Sequence, residues 1–259
     1  MPCSILELFA AKLERRHGLP FREREALLEL NGELQDSAAG STIVASGRPA
    51  THCILLGEGF LSRQKTLANG ACQILAIHLP GDAIDLQSML FVDSDHDIKA
   101  HSSVRTLWIS YDQIFELCQA YPILAKALWF DCLADASIFR EWTANVGQRN
   151  ARERLAHFLA EIGTRYEAIG RLHDDTFDLP LSQKDIANAL GLSLVHINKS
   201  LKTLRDANLI QVHGRRFTFM NRRSLERLGG FTKDYLHLDG RRAKPLDASP
   251  LEAVEMLNA

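Results

Sequence analysis

Basic and polar residues recur at helical spacing on both sides of a single glycine between Leu181 and Leu209. This stretch reads LSQKDIANALGLSLVHINKSLKTLRDANL, and its one glycine is Gly191. Glycine adopts a positive φ at no steric cost, so Gly191 can end one helix and turn the chain into the next. Ser182 and Ser193 stand at the two expected N-cap positions. The spacing therefore predicts two short helices joined by a tight turn.

The second predicted helix separates apolar from polar side chains. Ile197, Leu201 and Leu204 fall on one side, and the opposite side is polar and basic. Such a helix fits the major groove of duplex DNA, where residues near its N-terminus meet base edges and cations meet phosphates. We predict base contacts from Ser193, Val195, His196 and Lys199, and phosphate contacts from Lys184, Lys202, Arg215 and Arg216.

The sequence that follows the second helix predicts a hairpin. LIQVHGRRFTFMN contains two β-rich runs around His213-Gly214-Arg215. Residues 179–227 hold 9 Lys and Arg against 3 Asp and Glu. A winged helix-turn-helix explains the spacing, the basic face and the hairpin together. An antiparallel helical hairpin inside a core is the alternative interpretation of the two helices.

Charge is distributed unevenly along the chain. The net charge of the 259 residues is −2, yet residues 149–228 hold 14 Lys and Arg against 9 Asp and Glu, and residues 1–148 hold 12 against 18. A basic C-terminal segment behind an acidic body is typical of proteins with a nucleic-acid partner. Residues 1–20 predict an amphipathic helix with charges throughout, so we expect no secretory signal, no membrane contact and a cytoplasmic protein.

The elements that must position the two helices follow from patterns upstream. Short β-rich runs punctuated by glycine occupy about residues 40–110 and predict an antiparallel roll, with a two-residue hairpin turn at Asn69-Gly70. From Tyr121 to about Val146 the pattern predicts a long helix that either covers the roll or pairs with a copy of itself. Gly147 is the expected hinge. The apolar stripe of this helix consists of Leu124, Ala127, Phe130, Ala134, Ile138, Trp142 and Val146.

These patterns together predict an α+β chain in four parts. Residues 1–120 are expected to form N-terminal helices and an antiparallel, jelly-roll-like β-roll that acts as a sensor. Residues 121–147 are the expected dimerisation helix, residues 148–238 the winged helix-turn-helix, and residues 239–259 a C-terminal tail. Within the tail, Ser249-Pro250-Leu251-Glu252 has the pattern of a capping box and predicts the start of a short helix.

The sequence resembles one family over nearly its whole length. LPLSQKDIANALGLSLVHINKSLKTLRDANLIQVHGRRFTF, preceded by NARERLAHFLAEI, resembles the DNA-binding half of the Crp/Fnr family of bacterial transcription regulators. LPGDAIDLQSMLF is similar to a conserved region of that family's roll, and FTKDYLHL resembles the end of a proteobacterial subgroup. The resemblance implies a homodimer that binds an inverted repeat in double-stranded DNA and contacts RNA polymerase.

The roll departs from the family's cyclic-nucleotide pattern. Family members that bind cyclic nucleotides use a Gly-Glu pair and a downstream Arg-Ser, whereas this chain has Asp85-Leu86 and then SDHDIKAHSS, with no arginine before Arg105. A phosphate among these carboxylates would meet repulsion instead of a charge-assisted clamp. We therefore predict that the chain does not bind cAMP, and that it responds to another small molecule or acts constitutively. The candidate effector residues are Asp85, Leu86, Gln87 and His96.

Other cofactors are also not expected. The N-terminal region offers Cys3 alone, whereas the iron–sulfur branch of the family uses several cysteines there. The histidines of the roll lack metal-ligand spacing, so we predict no metal. We expect the cysteines to be mostly buried small hydrophobes, with a thiol switch at Cys118 or Cys132 as the less favoured alternative.

Two other functions are compatible with a β-roll. A cyclic-nucleotide-type module could regulate a protein partner and keep its helix-turn-helix only for protein contact. A cupin-like metal enzyme would need clustered His-x-His and Glu ligands, which this sequence lacks. We predict no catalytic residues and no enzyme activity.

Overall fold

The roll consists of two four-stranded antiparallel sheets. The structure, a computed structural model, describes the backbone of residues 2–240 and the side chains of residues 5–16 and 18–240. One sheet has the strand order β1-β8-β3-β6 and the other β2-β7-β4-β5. The strands are β1 Glu33–Ser37, β2 Thr42–Val44, β3 His52–Glu58, β4 Leu61–Thr66, β5 Cys72–His78, β6 Ala83–Ile84, β7 Asp97–Ala100 and β8 Val104–Ser110.

A small apolar core fills the space between the two sheets. Strand side chains of both sheets meet there, since alternate residues of a strand point to the same face. This arrangement confirms the predicted antiparallel roll. The buried side chains of this core are Ile54, Leu56, Leu61, Ile84, Ile98, Ala100 and Val104.

Helices cover the roll and continue into the C-terminal domain. A turn of 3-10 helix spans Leu86–Leu90, and another spans Asp234–Leu236. The C-terminal domain adds a three-stranded sheet of order β10-β11-β9. The helices and remaining strands are α1 Pro2–His17, α2 Phe21–Leu28, α3 Tyr111–Ala120, α4 Pro122–Gln148, α5 Ala151–Ala168, β9 Thr176–Asp178, α6 Gln183–Leu190, α7 Leu194–Asp206, β10 Ile210–His213, β11 Arg216–Phe219 and α8 Arg222–Gly229.

The predicted hinge is displaced by a few residues. Gly147 lies inside α4, which continues to Gln148, so the prediction of a hinge at Gly147 is wrong. The break falls at Arg149 and Asn150, because the Asn150 side chain accepts hydrogen bonds from the first turn of α5 and forms a capping box with Glu153. The cap, and not the glycine, therefore decides where the long helix ends.

The hairpin between β4 and β5 also differs from the expectation. The Leu67 amide donates to the Ala71 carbonyl at 2.8 Å, which leaves three residues in the loop instead of two. Gly70 has a φ of 80° and follows a turn closed by its amide and the Leu67 carbonyl. This is the geometry of a three-residue hairpin, in which glycine occupies the left-handed position.

The predicted apolar stripe of the long helix α4 is mostly buried against the same chain. Leu124, Ala127, Ala134, Ile138 and Trp142 are buried, while Phe130 and Val146 at the edges of the stripe are half-buried. The helix has 27 residues, or about 40 Å at 1.5 Å per residue. Its apolar stripe therefore covers the roll and the C-terminal domain, which is the first of the two predicted roles. The sequence analysis did not identify a second apolar face, where Trp129, Leu133 and Phe139 are exposed.

One apolar cluster joins the roll to the C-terminal domain. Ile74 and Ile77 of β5 pack in the same cluster as Trp142 of α4 and Phe158 of α5. Polar contacts reinforce this junction. The Gln73 amide donates to the Ala189 carbonyl at 3.2 Å, so β5 touches the C-terminal end of α6.

A second polar contact of the junction lies at the other end of α6. His101 Nδ1 lies 3.7 Å from the Asp185 carboxylate, and the His101 side chain is 5% exposed. Asp185 belongs to the capping box at the start of the helix. The roll therefore contacts both ends of α6. The capping box expected at Ser249 and the tail from residue 241 onward lie outside the described residues.

Candidate nucleic-acid interface

The turn between α6 and α7 has the local structure that the sequence predicts. Gly191 has a φ of 60° and ends α6. Ser182 accepts a hydrogen bond from the Asp185 amide at the start of α6, and Ser193 accepts one from the His196 amide at the start of α7. Each cap satisfies a backbone donor that a helix leaves unpaired at its first turn. Two capped helices and one left-handed glycine form the compact unit.

The inward side of α7 fixes the helix on the domain core. Ile197 and Leu204 are fully buried, and Leu201 is 5% exposed. They belong to the large apolar cluster that also contains Ile186 and Leu190 of α6. The outward side of α7 is thereby held in one orientation, with the side chains near its N-terminus presented to solvent.

The four predicted base-contacting residues cluster around the first two turns of α7. Val195 is 74% exposed, and Lys199 is exposed without an ion pair among the described residues. Ser193 and His196 bind each other, since Ser193 Oγ lies 2.9 Å from His196 Nδ1. The Ser193 hydroxyl also caps the helix at 3.3 Å from the His196 amide. Val195 and Lys199 are therefore the members of the set that are free to contact bases.

The predicted phosphate-contacting residues divide into two groups. Lys184 and Arg215 are exposed and have no ion pair among the side chains that the structure describes. Lys202 Nζ lies 2.7 Å from the Asp206 carboxylate, and Arg216 Nε lies 3.4 Å from that of Asp178. Both pairs are exposed, and such pairs contribute about 1 kcal/mol or less. Phosphate can therefore displace the carboxylate in either pair.

The hairpin after α7 forms the wing that the sequence predicts. His213 pairs with Arg216, so the loop consists of Gly214 and Arg215. Gly214 has a φ of 62°, and Arg215 is not among the residues of positive φ, which is the pattern of a type II′ turn. The two-residue loop places the Arg215 side chain at the tip. β9, which the sequence analysis treated as a polar loop, adds a third strand through the pairing of Phe177 with Phe217.

Asn198 is a candidate DNA contact that the sequence analysis missed. It is exposed on α7, three residues after Val195 and one before Lys199. An asparagine amide can donate to and accept from the edge of an adenine, which gives it direct sequence information. The signal that could have found it is its i+3 spacing from Val195, because residues three apart share a helix face.

The proposed effector residues of the roll form a paired cluster instead of an open site. Asp85 and His96 are both buried, with His96 Nε2 2.8 Å from the Asp85 carboxylate. Arg63 Nη2 lies 3.3 Å from the same carboxylate. Burial alone would raise the pKa of Asp85, but the hydrogen bond from His96 and the charge of Arg63 lower it. The Arg63 side chain on β4 was missed, because the sequence analysis considered arginines downstream of Asp85.

A cavity of about 250 Å³ lies next to this cluster, between β5 and α4. Of the four proposed effector residues, Gln87 lines this cavity, whereas Asp85, Leu86 and His96 do not. Leu86 packs instead in the apolar cluster that contains Leu107 and Ile109. His78 also lines the cavity, and its buried Nε2 has no hydrogen-bond partner. Burial lowers the pKa of His78 well below its usual value, so its imidazole is neutral at pH 7.

The cysteines are less buried than the sequence analysis expected. Cys53 is buried, but Cys72, Cys118 and Cys132 are half-buried. Burial raises the pKa of Cys132 to about 12 and also raises that of Cys118. Since the thiolate is the reactive form, neither environment favours a thiol switch.

Two kinds of feature are absent from the described part of the chain. Among the side chains of residues 5–16 and 18–240, no three or more His, Cys, Asp or Glu are grouped so that they could hold a metal ion. None of the helices described there is long and apolar enough to cross a membrane.

Family models of known proteins match both halves of the chain. A family model described as the Crp-like helix-turn-helix domain matches residues 153–228, and one described as the cyclic nucleotide-binding domain matches residues 34–121. The two matches occur in this order on the fold described above. The chain belongs to the Crp/Fnr family. It is therefore a DNA-binding transcription regulator, in a family of regulators and not of enzymes.

Individual Crp/Fnr proteins are similar at moderate identity. The chain is 26% identical over 197 residues to the transcriptional activator protein FnrL of Cereibacter sphaeroides, covering 75% of this chain and 79% of that protein. It is 27% identical over 215 residues to the transcriptional regulatory protein btr of Bordetella pertussis, covering 82% and 88%. The structure of FixK2 from Bradyrhizobium japonicum superposes with a TM-score of 0.72 at 24% identity, covering 78% of this chain and all of that one.

Proposed function

We propose that the chain acts in the cytoplasm as a homodimer that binds an inverted-repeat operator in duplex DNA. The single observation that carries this proposal is the outward face of α7, where Val195 and Lys199 are exposed without partners on a helix whose other side is fixed in the core. A helix held in this way can enter the major groove without rearrangement. The wing tip at Arg215 lies in the same domain and can reach the adjacent phosphates.

The second apolar face of α4 supports the dimer. Trp129 is 67% exposed, and Leu133 and Phe139 are each 50% exposed in the single chain. Trp129, Leu133 and Ala136 follow the 4-then-3 spacing of a coiled-coil seam, and Phe139 lies one turn further. Large exposed apolar side chains on one helix face mark a protein interface. A twofold dimer through α4 would present two copies of α7 about one DNA turn, or about 34 Å, apart.

The two sets of DNA contacts have different expected roles. Val195 can touch a thymine methyl group, Lys199 can donate to a guanine edge, and Ser193 and His196 complete the base-contacting set. Lys184, Lys202, Arg215 and Arg216 contact phosphates, which hold the protein on DNA of any sequence. Lys202 and Arg216 exchange Asp206 and Asp178 for phosphate when they bind.

A comparison of two substitutions tests this assignment. We expect Lys199→Ala to weaken binding to the operator by about 1–3 kcal/mol and to leave binding to random duplex nearly unchanged. Arg215→Ala should weaken operator and random duplex alike and reduce the salt dependence of binding. The operator is first selected from a randomised duplex pool, and affinities are then measured by fluorescence anisotropy at several salt concentrations.

Arg48→Ala is the matched control, since Arg48 is an exposed arginine on the roll. It should bind both duplexes as the unchanged protein does. If Lys199→Ala weakened operator and random duplex equally, Lys199 would be a phosphate contact. If the selected pool showed no twofold symmetry, the proposed inverted repeat would be wrong.

The roll is proposed to control the position of the DNA-binding domain. It touches α6 through Gln73 and His101, so a ligand beside α4 that moved β5 would also move the helix-turn-helix. The effector is not cAMP in this proposal, because a cyclic phosphate would need a cation and Arg63 is already paired with Asp85. Constitutive activity is the alternative. Contact with RNA polymerase stays a prediction.

A further inference from the structure

A second cavity lies at the junction between the roll and the DNA-binding domain. Its volume is about 430 Å³, which lies in the range of small-molecule sites. The walls come from α1, the β5–β6 connection, α4, α5 and the segment after α8. None of the predicted effector residues lines it. This junction cavity adjoins the cavity between β5 and α4 that Gln87 lines, since Asp135, Ile138 and Arg165 line both.

The body of the junction cavity is apolar. Leucine and isoleucine side chains from every one of its walls line the space, and they would exclude water from a bound hydrocarbon group. Transfer of such a group from water is favourable because it removes apolar surface from contact with water. The apolar lining side chains include Leu8, Leu79, Ile138, Ile169, Leu236 and Leu238.

Most charged groups at the junction cavity already have partners. Lys12 Nζ and Arg165 Nη2 each lie 3.0 Å from the Asp82 carboxylate. Glu14 pairs with Arg24 at 3.3 Å. Three carboxylates and four cations line the cavity, and the cations are not all paired. Arg15 has no ion pair, and one nitrogen of Arg16 has no partner, among the described residues.

The unmatched groups are guanidinium donors on α1. Arg16 is 4% exposed, and its Nη1 pairs with Asp131 while its Nη2 donates to the Leu236 carbonyl at 3.2 Å. Its buried Nε has no hydrogen-bond partner. Arg15 lines the cavity and has no ion pair or side-chain hydrogen bond among the described residues. Because Nε of Arg16 is itself inaccessible, Arg15 is the unpaired guanidinium group that a ligand in the cavity can reach.

Asp135 is the lining carboxylate that would most directly oppose an anion, since Asp82 and Glu14 are paired with cations. It lies on the α4 wall and has no ion-pair partner among the described side chains. Burial raises the pKa of its carboxyl group, which reduces the negative charge that the group presents to the cavity. The cationic side chains on α1 therefore dominate the recognition of a charged ligand.

We propose that the junction cavity binds a small amphipathic carboxylate, whose hydrocarbon part fills the apolar body and whose carboxylate accepts hydrogen bonds from the guanidinium group of Arg15. Carboxylate and guanidinium groups match in charge and in planar geometry. The ligand would touch α1, α4, α5 and the C-terminal segment at once. It would therefore stabilise the arrangement of the two halves that the structure shows.

Calorimetric titration with octanoate tests this proposal in the absence of DNA, so its outcome is independent of the proposed operator binding. We expect saturable binding at one site per chain, and binding of 1-octanol and octylammonium that is at least about tenfold weaker. Arg15→Ala should weaken octanoate binding by about tenfold or more without affecting the fold, because Arg15 is exposed. Arg48→Ala, which removes the same charge from the roll, should bind octanoate normally.

A cavity-filling substitution provides a second readout. Ala168 lines the cavity from the end of α5 and is half-buried, so Ala168→Phe should occupy the space and abolish octanoate binding. Circular dichroism establishes that this variant is folded, and Arg15→Ala stands as the test if it is not. Equal binding of octanoate and 1-octanol, unchanged affinity in Arg15→Ala, or the absence of saturable binding would each overturn the proposal.

Discussion

Truncation of Trp129 provides a direct test of the proposed dimer. Trp129 is 67% exposed on the second apolar face of α4. In a dimer through this face, the indole would be buried against the partner's α4. We therefore expect Trp129→Ala to weaken dimerisation strongly and to leave the fold of each chain intact, because little of the side chain is buried within the chain.

The size of the effect follows from the exposed area. A tryptophan side chain buries about 150–250 Å², so the 67% that is exposed corresponds to roughly 100–170 Å² per chain. At about 25 cal/mol per Å², this area is worth about 2.5–4 kcal/mol per chain and about 5–8 kcal/mol for the two chains. Incomplete burial in the dimer reduces this upper bound. A loss of about half of this energy corresponds to a 10²- to 10³-fold higher Kd for dimerisation.

Sedimentation velocity across a concentration series measures this shift directly. Phe21→Ala is the control, since Phe21 is 77% exposed on α2 and is a large aromatic side chain outside the proposed interface. It should dimerise as the unchanged protein does. If Trp129→Ala and Phe21→Ala gave the same dissociation constant, the apolar face of α4 would not be the dimer interface. Operator binding by Trp129→Ala should fall in parallel with its dimer fraction.

Two further predictions concern the packing of α8 and α5. Gly229→Ala should lower the free energy of unfolding by about 2 kcal/mol in urea denaturation, because a Cβ at Gly229 would lie 2.7 Å from the Cα of His157. This overlap outweighs the helix-propensity gain of about 1 kcal/mol. A variant more stable than the unchanged protein would refute the prediction. Burial lowers the pKa of His157 from 6.5 to about 4. Because the unfolded chain binds the proton more tightly, the free energy of unfolding should fall by about 3 kcal/mol as pH drops from 6.5 to 4. An equally steep fall in His157→Gln would exclude His157 as its cause.

The local features of the DNA-binding domain were predictable because they depend on short-range signals. Gly191, Ser182 and Ser193 set the helix ends through the backbone geometry and hydrogen bonds of their own turns. The roll was predictable as an antiparallel fold, since its glycines and alternating strands are local signals too. The hinge at Gly147 failed because the Asn150 cap determines the helix boundary more strongly than an exposed glycine does.

Long-range pairing explains what the sequence analysis missed. Arg63 and Asp85 are separated by 22 residues and meet only in the folded roll, where the Arg63 guanidinium donates to the Asp85 carboxylate at 3.3 Å. The short strand β9 is defined by its pairing with β11 and not by a strong pattern of its own. The second apolar face of α4 was overlooked because the first stripe alone satisfied the helical period. Contacts between distant segments, such as Arg16 with Leu236, carry no signal in a single sequence.

The contacts between the roll and α6 bear directly on how strongly the roll can modulate transcription. One amide hydrogen bond from Gln73 and one histidine–carboxylate contact join them, together with the shared apolar cluster. A coupling carried by such contacts amounts to about 1–3 kcal/mol, which corresponds to a change in operator occupancy of roughly 5- to 150-fold. The regulator would therefore give graded control with a modest induction ratio. Promoters under its control would retain measurable basal transcription.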